Sequence, residues 1–423
     1  DYYISIQTGI LPAAYMTEAL FTIVYDKLCK RAGDPAALVY VLGYDSTPIQ
    51  AEKSLFDLAQ WAQADHQLAA ALTAMSGEDF AAAYEAQLER PPRDAAVNGA
   101  EGAWPEFWSR LKRHLELYGH TIYDLDFAKA VPADDPAPLL ATLKFFISGE
   151  APSPYDRQAA AALAREQATT ALLARLPGPA RRWMDKILGA AQRFAPLRED
   201  ALADVGLGWP ILRRMVREIG RRLVAAGAVG EPDDAFWLQL DELRTAAAAL
   251  DRAEAPQPYQ TPVAERHATW ERQRAVKPPM ALPVAQGVRY LGFDFTYLMP
   301  ERGEQPTGAV LHGVAGSPGV VTAAAQVIHG PEEFGLMRRG DILVARITTP
   351  AWTPLFALAA GVVTDVGGPL SHSSIVAREY HIPAVLGTGV ATERLQGGQR
   401  VTVDGNAGTV VMLDVPGAVV NVP

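Results

Sequence analysis

The residues best suited to chemistry lie in residues 367–379, where a loop with two adjacent glycines leads to His372. Glycine adopts backbone angles that other residues avoid, so a bulky anion can come close to such a loop. Ser371 is a residue type that caps helix N-termini, and a helix N-terminus attracts dianions. A neutral imidazole is nucleophilic near pH 7. The segment therefore predicts a histidine that carries phosphate.

Short strands and helices are predicted on both sides of this loop. Residues 340–345, 361–365, 382–387 and 400–405 have the composition of strands, and residues 349–356 begin a helix. A lone histidine beside a helix start is usually a structural cap or a core residue. The ordered elements around His372 favour the carrier function over that alternative.

Residues 308–413 resemble the mobile phosphohistidine domain of the enzymes that include phosphoenolpyruvate synthase, pyruvate phosphate dikinase and rifampicin phosphotransferase. Five blocks carry the resemblance in order: Gly316-Ser317-Pro318-Gly319, Gly340-Asp341, Thr348-Thr349-Pro350, residues 364–368 and Ser371-His372. The resemblance implies that His372 is the phosphorylated residue and that Arg378 influences the phosphate. It also implies that four residues shape the loop: Thr364, Gly367, Gly368 and Ser371. Pyruvate phosphate dikinases have a regulatory threonine two positions before the histidine; Leu370 stands there, so that control is not expected.

Length and composition limit the possible classes of protein. A chain of 423 residues is expected to form two or three domains, and it contains no apolar run that could cross a bilayer. A formal net charge of −10 argues against a nucleic-acid-binding surface. A single cysteine excludes an intrachain disulfide and fits a cytoplasmic protein. The eight histidines are not spaced as metal ligands, so no metal site is predicted.

The predicted fold is multidomain, with a mostly α-helical substrate-binding domain followed by a compact α/β swivelling phosphohistidine domain. We place the helical domain at residues 1–255, a proline-bearing linker with a helical piece at 256–307, and the swivelling domain at 308–423. Residues 211–223 predict a helix with an apolar stripe that contains Ile211 and Met215, and with an arginine-rich exterior. That exterior is either a solvated face or a docking surface for an anion.

The helical region has a looser resemblance to the central, substrate-binding region of rifampicin-phosphotransferase-like proteins. Its blocks are Tyr118-Gly119-His120, Arg198-Glu199-Asp200, and residues 221–227 and 233–238. His120 is the candidate that activates or positions the acceptor hydroxyl, and a structural helix-end histidine is the alternative. Tyr118, Tyr44 and Asp45 are candidates to line the same pocket, although a plain turn also explains Tyr44-Asp45.

The family phosphorylates its histidine with an ATP-grasp domain, and no such segment or glycine-rich phosphate loop is recognised here. The resemblance implies that ATP and Mg²⁺ serve the complete enzyme without being bound by this chain, which begins at Asp1 and is expected to be part of a longer polypeptide or to have a partner subunit. Only eighteen residues follow Gly405, too few for the barrel that handles pyruvate.

The leading hypothesis is therefore a dikinase-type phosphotransferase that acts on an apolar, hydroxyl-bearing small molecule such as an antibiotic. The alternatives are an ATP-dependent ligase like the prodigiosin-forming relatives, and a non-enzymatic phosphocarrier.

Overall fold

The computed structural model describes residues 2–89, 102–149, 152–274, 276, 289–290, 293–294, 308–369 and 371–413. Contacts between residues divide the chain into two units. Unit 1 comprises residues 1–124, 131–207 and 297–423, and unit 2 comprises residues 125–130 and 208–296. The domain boundaries predicted at residues 255 and 307 stay a prediction, and most of the predicted linker, like Leu370, lies outside the described residues.

The first part of unit 1 is built from helices. A short helix α1 and a π-helical turn, Ile6–Ile10, lead into α2, which ends in a second π-helical turn, Tyr25–Cys29. The α-helices of this part are α1 (Tyr2–Ser5), α2 (Leu11–Val24), α3 (Thr47–Gln63), α4 (His66–Ala74), α5 (Gly77–Glu89), α6 (Trp104–Tyr118), α7 (Ala137–Ile147), α8 (Pro154–Ala174) and α9 (Gly178–Ala203). Several begin with proline in the first turn, where no amide donor is needed.

The second part of unit 1 is an eight-stranded mixed sheet, in the spatial order β3-β10-β9-β5-β6-β7-β8-β4. Its strands are β3 (Val310–His312), β4 (Val314–Ser317), β5 (Val320–Ile328), β6 (Ile342–Ala345), β7 (Gly361–Thr364), β8 (Ala384–Leu386), β9 (Arg400–Asp404) and β10 (Thr409–Met412). Strands β5 to β8 run parallel. β6 and β7 are buried at every position, as expected of parallel strands covered on both faces.

Short helices connect these strands. α13 (Thr353–Phe356) follows a 3₁₀ turn at Pro350–Trp352, α14 (His372–Glu379) lies between β7 and β8, and α15 (Ala391–Arg394) precedes β9. The strands predicted at residues 340–345, 361–365, 382–387 and 400–405 are thus present. The predicted fold class, a mostly helical region followed by an α/β domain, is confirmed.

One apolar core connects the two parts of unit 1. Tyr123 of the helical part packs edge-on against Phe334 of the sheet part, with ring centroids 5.8 Å apart. The indole of Trp352 donates to the carbonyl of Tyr123 at 2.9 Å, and the Thr349 hydroxyl donates to the carbonyl of Ile122 at 2.6 Å. The sheet part is therefore seated on the helical part through both apolar and hydrogen-bonded contacts.

Unit 2 contains α10 (Trp209–Ala225), α11 (Leu240–Asp251), α12 (Gln260–Arg274) and the short strand pair β1 (Arg289–Tyr290) and β2 (Phe293–Asp294). α12 corresponds to the helical piece predicted within the linker. No helix in the described ranges is long and apolar enough to cross a membrane.

The predicted apolar stripe of α10 is wrong in detail. Ile211 and Met215 are 58% and 59% exposed, whereas Arg213 is 2% exposed. Arg213 is buried because its guanidinium donates to the carbonyl of Phe127 and lies 4.9 Å from the ring of Phe236. Arg217, Arg221 and Arg222 pair with carboxylates of the same unit, which fits a solvated face.

Candidate active site

The loop before α14 is held by hydrogen bonds between residues that are close in sequence. Gly367 has φ +148, and a Cβ atom there would lie 3.1 Å from Ser371 Oγ and 3.3 Å from Thr364 Oγ1, so glycine is required. The Thr364 hydroxyl donates to the carbonyl of Val366. Ser371 occupies the N-cap position, but its hydroxyl donates to the carbonyl of Gly368 at 2.9 Å instead of capping the helix. The loop residues named from the sequence thus surround one tight turn.

His372 is the first residue of α14 and is only 6% exposed. Its Nδ1 lies 3.2 Å from Glu199 Oε2, and its Nε2 lies 3.4 Å from Thr353 Oγ1. A carboxylate can only accept, so Nδ1 carries the hydrogen in this contact. In the neutral ring Nε2 then has the free lone pair and is the nucleophilic nitrogen.

A buried network of charges holds Glu199. Arg198, 2% exposed, donates through Nε to Glu199 Oε1 at 3.1 Å and through Nη1 to Glu18 Oε2. Burial alone would raise the pKa of Glu199, but the hydrogen bond from His372 and the positive charge of Arg198 outweigh it and hold this pKa below its usual value. Burial raises the pKa of Glu18 despite the same arginine. Glu199 is therefore ionised and ready to accept from His372.

Arg378 lies two turns after His372 on the same helix. Its Nη1 donates to the carbonyl of Pro369 at 2.9 Å, which ties the loop to the helix. Burial lowers the pKa of Arg378 to about 10, with a further contribution from the charge of Arg198, and the guanidinium still carries its charge at pH 7. A fixed cation beside the loop is suited to an anionic group on His372.

A small inner cavity of about 30 Å³ lies beside Thr353. Its walls are mostly proline, leucine and alanine side chains. Its polar groups are Glu52, His114, Tyr118, Thr121 and Thr353. Thr353 lines the cavity and also contacts His372 Nε2, so this one residue connects the cavity with the candidate nucleophile. Its present volume admits about one water molecule.

The four residues proposed for the acceptor are only partly brought together. Tyr118 lines both the inner cavity and an open groove of about 880 Å³ that also includes Asp45. Asp45 pairs with Lys53 at 2.8 Å, and Tyr44 is stacked under the Arg165 guanidinium at 3.9 Å. His120 faces Asp204, with Nε2 3.2 Å from Oδ1, and it is not among the residues that line either space.

Sequence reasoning assigned no function to Glu199, Thr353 or His114. Glu199 lay in a block that carried the resemblance, and Thr353 lay in the predicted helix 349–356, but neither had a pattern that pointed to His372. His114 is buried, with Nδ1 3.0 Å from Ser54 Oγ, and burial lowers its pKa to about 3. It is thus a neutral imidazole at the cavity wall. Among the residues described, no cluster of three potential metal ligands is found.

Two family models match the chain. The model described as rifampicin phosphotransferase fourth domain matches residues 10–199, and the PEP-utilising enzyme mobile domain matches residues 337–408. The first model includes the Arg198-Glu199 pair, and the second includes the whole loop and helix around His372. The two models therefore meet at the hydrogen bond between Glu199 and His372.

The chain is also similar to several proteins of known name. A chondramide synthase of Chondromyces crocatus is 29% identical over 90% of this chain and 10% of that protein. A rifampicin phosphotransferase of Streptomyces sviceus is 30% identical over 72% of this chain and 34% of its own length. The prodigiosin synthesizing transferase of Serratia marcescens is 33% identical over 66% of this chain and 30% of its own. A solution structure of Enzyme I shares 34% identity over 19% of this chain, with a TM-score of 0.17 that supports no argument.

The fold and site define a helical region joined to a PEP-utilising mobile domain. The chain is similar to rifampicin-phosphotransferase-like proteins and to PEP-utilising enzymes over these two matched regions. It spans about a third or less of the length of the three relatives named above.

Proposed function

We propose that His372 carries a phosphoryl group on Nε2 and delivers it to a hydroxyl group of a small molecule held by the helical part of unit 1. The contact that carries this proposal is the hydrogen bond from His372 Nδ1 to Glu199 Oε2. It orients the ring, leaves Nε2 as the nucleophile, and comes from the region that the family model assigns to rifampicin phosphotransferases.

Two displacements at phosphorus involve His372 directly. In the first, the lone pair of Nε2 attacks the phosphoryl group of the donor, and the bond from phosphorus to the donor oxygen breaks. In the second, the acceptor oxygen attacks the same phosphorus, the bond to Nε2 breaks, and the hydroxyl proton is released to solvent. Glu199 keeps the proton on Nδ1, so the departing ring leaves as a neutral imidazole with its lone pair restored on Nε2. Arg378 balances part of the charge on the phosphoryl group.

The donor is ATP with Mg²⁺, bound by an ATP-grasp unit outside the described residues, in the same polypeptide or in a partner. Hydrolysis of the donor's terminal phosphate by water accompanies the first displacement, so that ATP, water and the acceptor give AMP, inorganic phosphate and the phosphorylated acceptor. A carrier that moves between two pockets makes each transfer a local reaction. Limited proteolysis is expected to cut within residues 256–307 and to leave a protected fragment that begins near Gly308, a result that would support such movement.

The inner cavity is the proposed end of the acceptor site. Its walls are largely apolar and it contains a few polar groups, which is the usual composition of a small-molecule site. The acceptor is therefore a mostly apolar molecule with a reactive hydroxyl, such as an antibiotic. Its entry displaces Tyr118 or the segment with Thr353, because the cavity is otherwise too small.

A condensing activity is the second candidate, since a relative at 33% identity is named as a transferase that synthesises prodigiosin. The two candidates differ in product. A phosphotransferase gives a stable phosphoester of the acceptor, whereas a ligase gives a joined product and free phosphate. A screen of hydroxyl compounds for loss of phosphate from phospho-His372, followed by mass spectrometry of the products, separates them and also tests the proposal. If phospho-His372 loses its phosphate only to a second protein, the result would support a phosphocarrier instead.

The histidine that orients the acceptor is tested by comparing His114→Gln with His120→Gln. His114 lines the cavity as a neutral ring, so one of its two nitrogens carries no hydrogen and is able to accept a hydrogen bond. His120 was proposed from the sequence and faces Asp204. We expect His114→Gln to slow transfer to the best acceptor of the screen by roughly a hundredfold, the cost of a misplaced reacting group. Phospho-His372 should form at the wild-type rate in both variants.

A hundredfold loss in His120→Gln alone would instead return the positioning function to His120. Equal loss of both half-reactions in either variant would mean that the residue supports the fold.

A further inference from the structure

A charged cluster lies at the far end of the helix that begins with His372. The hydroxyl of Tyr380, which follows α14 directly, donates to Glu52 Oε1 on α3. Arg157 on α8 donates through Nη2 to Glu52 Oε2, and its guanidinium lies 3.8 Å from the centre of the Tyr380 ring. The side chains of Glu52 and Arg157 are 1% and 8% exposed. Two helices of the helical part, α3 and α8, and the carrier helix thus meet at one tyrosine and one ion pair.

We propose that Glu52, Arg157 and Tyr380 are positioning residues that lock the carrier helix against the acceptor site during the second transfer. This inference rests on the proposed function, because it needs a carrier that docks and leaves. We refer to the three residues as the docking lock.

The placement of the docking lock explains why it fixes the orientation of His372. α14 has eight residues and is therefore about 12 Å long. Glu199 holds its first residue, and the docking lock holds the residue after its last. Two attachments at opposite ends fix both the position and the direction of a short rod, whereas a single one leaves it free to pivot. Glu52 also lines the inner cavity, so docking and the acceptor share one side chain.

The docking lock has an unused donor and a carboxyl beside it. Arg157 Nη1 is buried and has no hydrogen-bond partner among the described residues. Glu379, the last residue of α14, lines the same small cavity as Arg157. Docking brings Glu379 close to the carboxylates of Glu52 and Glu199. A carboxylate that approaches two others is expected to bind a proton on docking.

The direction of this pH effect follows from the two states of Glu379. In the docked state burial, then Glu199 and Glu52, raise its pKa to about 8, although Arg157 and Arg198 oppose the shift. Released from the interface, the carboxyl returns to about 4.5. Docking therefore takes up a proton between these values. It is strongest at low pH, weakens as pH rises, and changes no further above about pH 8.

The test measures how fast diethyl pyrocarbonate modifies His372 in the intact chain, with peptide mass spectrometry as the readout. His372 is buried when docked, whereas His329 and His381 of the same part are exposed and serve as internal standards. Tyr380→Phe keeps the ring and removes the hydrogen bond to Glu52. We expect modification of His372 to accelerate about ten- to hundredfold at pH 7, the range for losing a hydrogen bond to a charged group.

Tyr155→Phe is the matched control. Tyr155 also donates to a carboxylate, Asp57, at 2.7 Å, but the pair is exposed and lies wholly within the helical part. In this variant diethyl pyrocarbonate should modify His372 at the wild-type rate. Undocking and general unfolding give different results. Undocking raises the modification rate of His372 alone, leaves the rates at His329 and His381 unchanged, and does not change the melting temperature.

Glu379→Gln provides the second arm, because glutamine resembles the protonated carboxyl. At each pH, His372 should be modified more slowly in Glu379→Gln than in the wild type. The ratio of the two rates should grow from pH 5.5 to about pH 8 and stay constant above that. The docking lock is rejected if diethyl pyrocarbonate modifies His372 at the same rate in Tyr380→Phe and in Tyr155→Phe. Such a result would leave the proposed function intact, since the ability of His372 to accept phosphate is measured separately.

Discussion

Replacing His372 by alanine is expected to abolish the principal phosphorylation of the chain. The donor in this experiment is phosphoramidate, a small compound that transfers its phosphoryl group to imidazole with release of ammonia and needs no nucleotide site. Wild-type chain should acquire an adduct that is labile in acid and stable in alkali. His372→Ala should lose this adduct and keep only the background that the reagent leaves on exposed histidines such as His329 and His381, because the nucleophile beside Glu199 and Thr353 is gone.

The control is His329→Ala, which removes an exposed histidine from the same part of unit 1. It should be phosphorylated like the wild type. Persistent labelling of His372→Ala at the wild-type level would place the phosphate on another residue. With the complete polypeptide and MgATP as donor, the same pair of variants should give the same contrast.

Replacing Arg198 by methionine is expected to lower the free energy of unfolding by about 3–5 kcal/mol, the usual cost of removing one partner from a buried ion pair. Arg198 is 2% exposed and neutralises both Glu18 and Glu199. Without it, two carboxylates remain buried with no cation between them. Urea denaturation of the chain measures the change.

Two further variants make the measurement specific. Arg222→Met removes an exposed arginine that pairs with Glu218, and it should cost less than about 1 kcal/mol. Adding Glu18→Gln to Arg198→Met should recover part of the lost stability, because one buried charge disappears with it. If the free energy of unfolding of Arg198→Met lies within about 1 kcal/mol of the wild-type value, the charge network contributes little to the stability of the fold.

The fold and the loop before His372 could be predicted because their determinants are local. Gly367 needs a positive φ, and Ser371 and His372 begin a helix, all within a few consecutive residues. The strands β6 and β7 are short buried apolar runs bounded by turn residues, which a linear pattern reveals. Such features depend little on what the rest of the chain does.

The partners of the loop could not be predicted because they are distant in sequence. Glu199 lies 173 residues from His372, and Glu52 lies 328 residues from Tyr380. No spacing rule connects positions so far apart. The arginines of α10 show the other limit: periodicity suggested that Arg213 faces solvent, but a carbonyl and an aromatic ring in its own unit satisfy it when buried.

The central claim is that His372 accepts phosphate on Nε2 while Glu199 holds Nδ1. The most direct measurement is a phosphorus–proton correlation NMR spectrum of the phosphorylated chain. A phosphate on Nε2 is bonded between the two ring carbons that carry protons, so it couples to both ring protons of His372. A phosphate on Nδ1 adjoins only one such carbon and couples to one proton. We expect coupling to both, and a spectrum with a single coupling, or with no phosphohistidine signal, would contradict the account.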